Sequence, residues 1–424
     1  MVVDSIPSAQ LVDSIPPAQL SSPLVLPNGS SLPNRLLKSA LSESMADAFN
    51  NVTPPIVKLY QAWLDGGAGL IITGNMMVDR RSLERARNVV IDDFVDTESL
   101  GHLGNLGRRG QLWVQLSHPG RQVARYINST PVSASSAPAV NIAGQFGKPH
   151  ALTAEECDEL VVAFTRSAVI AQEAGFDGVQ IHCAHGYLLS QFLSPLVNTR
   201  DDEFGGDLVR RAELPRRIIR SVRETCGSRF GVGIKINGRD GVDRGFDPDM
   251  CLATALILDS AGLDLIEISG GTYETPIMTD CAEEAFRACH SVGHKMTSQV
   301  KAAVCVTGGL REVKVMEGLV EGKDCDLVGL GRPFCLDPAF PLKVVSGLQS
   351  TLPLPKVSVP LGGLSPLASV GCYTAMMRTV GGGEKPTTNT WPLWSLSRQL
   401  FGDVLRQYFR KSPRASDGSC GCCS

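Results

Sequence analysis

Gly175-Phe-Asp-Gly-Val-Gln-Ile-His-Cys-Ala-His-Gly-Tyr187 is the stretch on which the fold turns. Upstream of it, Leu160–Ala174 carries apolar residues at helical spacing, and Gly175 supplies the left-handed residue that stops a helix before a strand. Gly178–Cys183 is then a short apolar and β-branched run of strand length. The run ends on His182 and His185, polar groups of a kind that turn chemistry alone does not require.

The same unit recurs along the chain. Short runs at Arg35–Ala40, Gly69–Gly74, Gln111–Ser117, Gly178–Cys183, Gly231–Asn237, Leu265–Gly270, Val304–Gly308 and Asp326–Gly331 alternate with helix-like stretches, clearest at Leu160–Ala174, Glu213–Cys226 and Asp249–Ser260. Eight strands with both faces covered predict a closed α/β fold, the (β/α)8 TIM barrel. An open doubly wound sheet is the alternative, but it has fewer strands as a rule, and no Gly-x-Gly-x-x-Gly follows any candidate strand. Residues 3–11 and 12–20 (VDSIPSAQL, VDSIPPAQL) are a tandem near-repeat without a core-forming period, so residues 1–22 are expected to form a disordered N-terminal tail. The barrel is expected over 23–347 and a C-terminal helical extension over 348–424.

Composition limits the function. With 424 residues, 43% hydrophobic and 20% charged, the chain can bury a large core, and a net charge of -3 gives no general attraction to nucleic acid. No apolar run reaches the length of a membrane span, and MVVDSIPSAQ lacks the basic and apolar regions of a secretory signal. Thirteen scattered cysteines suit reduced thiols, so a cytoplasmic location in the cytosol is expected. The segment Trp391–Lys411 reads as an amphipathic helix, expected first to pack on its own protein or on a homodimer mate. Contact of 391–424 with a membrane surface is the weaker alternative. The ending Cys420-Gly-Cys-Cys-Ser424 does not form a CaaX box.

In a barrel of this class the active site lies at the C-terminal strand ends. Here those ends carry Ser39 and Ser42, Gly74, Gln115 with His118, His182 with His185, Lys235 with Asn237, Ser269-Gly270-Gly271, Thr307-Gly308-Gly309, and Gly331-Arg332. Glycine-rich ends of the seventh and eighth strands with an arginine beside them suit a phosphate, bound by backbone amides and a charge-assisted contact. A phosphorylated cofactor or substrate is implied.

These residues resemble the Old Yellow Enzyme family of FMN-dependent NADH:flavin oxidoreductases, in its fungal and bacterial branch. The resemblance runs from Pro33-Asn34-Arg35 to Asp337-Pro338. It is strongest over Gly175–Pro195 and Asn198-Thr-Arg-Asp-Asp-Glu-Phe-Gly-Gly206, and is supported by Gln115–Arg121 and Asp326–Pro333. It implies that Ser39, Ser42 and Gly74 line an FMN isoalloxazine, that Gln115 and Lys235 meet its pyrimidine edge, and that Gly270, Gly308, Gly309, Gly331 and Arg332 hold its phosphate. Lys235 stands where many relatives have Arg, which keeps the charge and loses the bidentate fork.

The resemblance further implies that His182 and His185 bind and polarise the oxygen of an enone-type substrate, that Tyr187 protonates the reduced alkene, and that NADH or NADPH is the reductant in a ping-pong cycle. The expected protein is then an NAD(P)H-dependent flavin oxidoreductase, an ene-reductase acting on a small metabolite in secondary metabolism. No metal site is expected. A metal-dependent barrel hydrolase built on the His182 and His185 pair is the competing reading.

Overall fold

The computed structural model describes residues 19–136, 140, 145–271, 283–355, 357, 359, 365–386 and 392–409. Eight parallel strands form the barrel: β1 Leu36–Lys38, β2 Leu70–Met77, β3 Gln111–Ser117, β4 Gly178–Cys183, β5 Gly231–Asn237, β6 Leu265–Ser269, β7 Ala303–Thr307 and β8 Leu327–Leu330. Each pairs with its sequence neighbour, and β8 pairs with β1, which closes the sheet. The helices that follow the strands in turn are α1 Pro54–Asp65, α2 Thr97–Gly104, α3 Ala154–Glu173, α4 Glu213–Cys226, α5 Pro248–Asp259, α6 Glu283–Thr297, α7 Val313–Glu321 and α8 Phe340–Val345. The expected barrel is therefore the observed one.

Strand alternation divides the core in two. Val179, Ile181, Val232, Ile234, Ile266 and Val304 point outward into the large cluster shared with the helices. Leu37, Leu70, Trp113, Leu265, Cys305 and Leu327 point inward and fill the lower barrel, which the hairpin residues Leu26 and Leu32 plug from below. Trp113 explains two glycines at strand starts. A Cβ at Gly231 would lie 2.2 Å from the Trp113 ring and one at Gly178 would lie 2.7 Å from it. Gly175 has φ +92°, the left-handed stop that its place between α3 and β4 demands.

α3 starts six residues before the expected Leu160, because Thr153 and Glu156 form a capping box. At the N-terminus, residues 1–18 of the expected tail lie outside the described residues. Gln19 and Leu20 are docked: their amides donate to Glu317, at 2.7 and 3.2 Å, and Leu20 is fully buried.

Two further helices, α9 Ser365–Gly381 and α10 Pro392–Tyr408, make up the described extension. α9 packs on α1 and α10 packs on α9. The Arg378 guanidinium donates to the Ser44 carbonyl at 3.3 Å, and the Arg332 guanidinium lies 5.9 Å from the Tyr373 ring. The extension thus braces the strand-end loops. The opposite side of α10 exposes Leu393, Trp394, Phe401, Leu405 and Tyr408. The cysteines at 420, 422 and 423 lie outside the described residues. No described helix is long and apolar enough to cross a membrane.

Gly231→Ala is expected to lower stability by about 1–3 kcal/mol, the usual cost of overpacking. Trp113→Leu should remove most of that penalty in the double variant, because it removes the ring in the way. Urea unfolding of the four proteins measures both effects, and simple additivity would contradict the assigned clash.

Candidate active site

Above the apolar layer the inward positions turn polar. In-register neighbours Gln115 and Gln180, His182 and Lys235, Lys235 and Glu267, and Asn237 and Ser269 face the barrel axis. Glu267 is completely buried at their centre. Its Oε1 accepts from Lys235 Nζ at 3.0 Å and from Thr307 Oγ1 at 2.7 Å, and its Oε2 accepts from Gln180 Nε2 at 2.7 Å. Burial alone would raise its pKa, but Lys235 and the Thr307 and Gln180 hydrogen bonds outweigh it and hold the carboxyl below its ordinary value. Gln180 Oε1 in turn accepts from Gln115 Nε2 at 2.7 Å, and Thr307 Oγ1 meets Ser39 Oγ at 3.0 Å. Five of the barrel strands, and through Ser39 the end of a sixth, β1, are joined by one network.

The sequence reading missed Glu267, Gln180 and Thr307 as partners. The available signal was a charged or amide residue at an inward position of an otherwise apolar strand, as in Leu265-Ile-Glu-Ile-Ser269.

His182, His185 and Tyr187 gather at the end of β4. The two imidazole centroids are 5.1 Å apart, and the Tyr187 ring centroid is 4.7 Å from that of His182. His182 Nδ1 accepts the Ala184 amide proton at 3.3 Å, so a neutral ring carries its own proton on Nε2. His185 Nε2 pairs with Ser269 Oγ at 2.8 Å. The His185 backbone has φ +61°, a conformation costly for a residue with a Cβ. Asn237 Oδ1 accepts its amide proton and Gln122 Nε2 donates to its carbonyl, both at 3.0 Å, and these contacts hold it there.

Burial lowers the pKa of both rings, His185 to about 3 with help from Lys235, and His182 well below its ordinary value with help from His185 and Lys235. His118, also buried, is pushed down to about 4. All three rings are therefore uncharged near neutral pH.

Gly74 lies where the loop after β1 crosses β2. Its amide donates to Glu43 Oε1 at 3.0 Å and to Tyr60 Oη at 2.8 Å, and a Cβ would meet Glu43 and the Leu41 carbonyl at 2.2–2.3 Å. Ser42 is partly buried on the same loop. Its Oγ donates to Glu84 Oε2 at 2.6 Å and accepts from Asn75 Nδ2 at 3.2 Å. Gly308 has φ +135° and open space where its Cβ would be, Gly309 has φ +66°, and a Cβ at Gly270 would meet nothing closer than 3.8 Å. The structure thus brings all the sequence-predicted residues to one end of the barrel.

The residues fit FMN. Among the described residues, the positions where a Cβ would stand at Gly270 and Gly308 are left open, as close approach of a bound group requires. Asn75 Oδ1 is, among the described residues, buried without a partner, an acceptor left over for a bound group. Among the described residues no cluster of three or more His, Cys, Asp or Glu could hold a metal ion.

The lowered histidine pKa values have a consequence for stability. Folded rings at about 3–4 refuse protons that unfolded rings accept near pH 6.5, so stability is full above about 6.5 and falls as pH drops toward the folded values. Each such histidine contributes a slope of about 1.4 kcal/mol per pH unit. His185→Asn should flatten the unfolding free energy profile by one such slope between about pH 6 and pH 4. Parallel profiles would contradict it.

Residues 19–351 match the family model for the NADH:flavin oxidoreductase / NADH oxidase family. An NADH-dependent flavin oxidoreductase of Talaromyces variabilis is 33% identical over 356 residues, covering 77% of this chain and 86% of that protein. Among solved structures, the old yellow enzyme homologue from Zymomonas mobilis superposes with a TM-score of 0.67 at 21% identity, covering 81% of this chain and 98% of that one. Morphinone reductase in complex with tetrahydroNAD gives 0.67 at 24%, covering 79% and 93%. At these identities the two structures speak for the fold. The relatives give the hydrolase reading no support. By its matched family model, its similarity to a curated flavin oxidoreductase and its strand-end site, this chain belongs to the NADH:flavin oxidoreductase / NADH oxidase family, as an FMN-dependent oxidoreductase of the Old Yellow Enzyme type.

Proposed function

We propose that the protein uses NADH or NADPH to reduce the activated C=C bond of a small conjugated metabolite, an enone or a close equivalent, within secondary metabolism. The observation that carries this reading is the pair of uncharged, buried imidazoles beside Tyr187, with the His182 proton on Nε2. A neutral donor in a water-poor site can polarise a carbonyl without first losing a proton to it. Gln115 and Lys235 are assigned to the flavin pyrimidine edge, Ser39, Ser42 and Gly74 to the wall of its ring system, and Gly270, Gly308, Gly309, Gly331 and Arg332 to its phosphate.

Bound FMN would supply the hydride chemistry, a hydride being taken from the nicotinamide and one delivered to the β-carbon of the alkene. The protein's part is to stabilise the charge that collects on the substrate oxygen and to deliver a proton. His182 Nε2–H and His185 hold that oxygen. Tyr187 Oη gives its proton to the α-carbon, a transfer within reach of a phenol of pKa about 10 because the enolate carbon is strongly basic. Lys235 places a cation at the flavin edge, partly balanced by Glu267, so its pull on reduced flavin is weaker than that of an unpaired cation. The nine described cysteines are all buried and free of disulfides, which supports a reducing compartment, the cytosol.

The exposed side of α10 is assigned to a second copy of the chain. Trp394, Phe401 and Tyr408 with Arg398 and Arg406 are residue types enriched at protein interfaces.

Purified protein is expected to carry about one FMN per chain, to bleach with NADH or NADPH without oxygen, and to recolour with an enone or nitroalkene; colourless protein would end this reading. His182→Phe should lower kcat/KM for an enone by about 100-fold. Tyr187→Phe should slow only flavin reoxidation by the alkene in rapid mixing. If both half-reactions stay normal, another group is the proton source. Sedimentation should find a dimer that Leu405→Asp dissociates, and a monomeric parent protein refutes the interface.

A further inference from the structure

The family resemblance assigned Ser42 to the flavin wall but said nothing of what stands behind it. Glu84, on the loop after β2, is a carboxylate whose side chain is only 5% exposed. It accepts the Ser42 hydroxyl proton at 2.6 Å through Oε2, and the same oxygen accepts from Asn75 Nδ2 at 3.1 Å. Asn75 Nδ2 also donates to Ser42 Oγ at 3.2 Å and reaches Tyr187 Oη at 3.5 Å. Arg85 Nε donates to the other carboxylate oxygen at 3.2 Å, which keeps the carboxylate in place.

A serine hydroxyl has one proton to give and two lone pairs. The Ser42 proton is committed to an ionisable carboxylate at a distance typical of a charge-assisted hydrogen bond, and one lone pair is taken by Asn75. What Ser42 offers a flavin is then a single acceptor. Oxidised flavin presents acceptors at N5 and at the C4 carbonyl, whereas two-electron reduction puts a proton on N5. The C4 carbonyl is an acceptor in both states and gains negative charge on reduction, so a hydroxyl whose proton is held elsewhere withholds a contact that would favour the reduced form.

We propose that Glu84 is a positioning residue that fixes the hydrogen-bond polarity of Ser42, withholding its proton from the flavin C4 carbonyl and so setting the reduction potential of the bound cofactor. The inference rests on the flavin reading of the site. Glu84 touches neither substrate nor cofactor in this scheme; it acts through Ser42.

The test is the two-electron midpoint potential of FMN-loaded protein, followed by absorbance against a redox dye, in the parent, Glu84→Gln, Ser42→Ala and the double variant. Glu84→Gln replaces the carboxylate by a neutral amide oxygen, a weaker acceptor that loosens its hold on the hydroxyl proton, and removes a buried negative charge, so the potential should rise. With Ser42 present, the reduced-to-oxidised ratio at fixed potential should rise at least tenfold, about 30 mV for a two-electron couple. With Ser42→Ala the same substitution should give less than about a threefold rise, because only the charge effect remains. Equal shifts in both backgrounds, no shift, or a fall overturns the proposal.

Should Glu84→Gln fail to fold, the infrared C4 carbonyl stretch of bound oxidised FMN decides between parent and Ser42→Ala. The band should not move, and a shift to higher frequency would show the hydroxyl donating to it, which overturns the assignment. Protein that binds no FMN fails the flavin reading itself, whereas yellow protein with an unaltered potential fails only the role of Glu84.

Discussion

A fully buried carboxylate has to be paired where it stands, and Glu267 stands in the middle of the barrel. Removing one partner of such a group costs about 3–5 kcal/mol, a large part of the roughly 5–15 kcal/mol that holds a domain together. Its partners Lys235, Thr307 and Gln180 come from β5, β7 and β4, so satisfying Glu267 fixes the relative register of four strands at once. Gln115 and Ser39 are then tied on at second remove from β3 and β1. The cost of the buried charge is what makes the upper barrel rigid.

This network also separates the two ends of the molecule. Below it, Trp113 and aliphatic side chains close the barrel and force glycine at 178 and 231. Above it, the inward positions are free to carry chemistry. Lys235 leaves the pair as a cation of fixed position, and the same positive charge joins burial in keeping His182 and His185 neutral. One ion pair thus sets the electrostatics seen by the histidines and by whatever lies against Lys235. The mouth is held from outside as well, since α9 braces Ser44 through Arg378 and Arg332 through Tyr373.

The barrel was legible because strand and helix patterns are local. β3, β4, β5 and α4 begin and end where the hydrophobic pattern says, and the motif from Gly175 to Tyr187 names the site directly. The start of α3 was not read because its signal lies in the Thr153 and Glu156 cap, before the apolar stripe begins. What sequence could not convey is pairing at a distance. Gln180 and Glu267 are 87 residues apart, and nothing local in either strand says that the two meet. For the same reason Ser42 was assigned by resemblance to the flavin wall without Glu84, 42 residues away, behind it. The place of Lys235 at a strand end was legible, while its carboxylate partner was not.

The central claim is that the strand-end cradle of Gly270, Gly308, Gly309, Gly331 and Arg332 makes this barrel an FMN site. Calorimetric titration of flavin-free protein with FMN and with riboflavin tests it most directly, since the two ligands differ only in the phosphate. One FMN should bind per chain, and riboflavin should bind at least about tenfold more weakly, the minimum for losing charge-assisted contacts worth about 1.5–3 kcal/mol. Equal affinities, or no binding of FMN, would contradict the account.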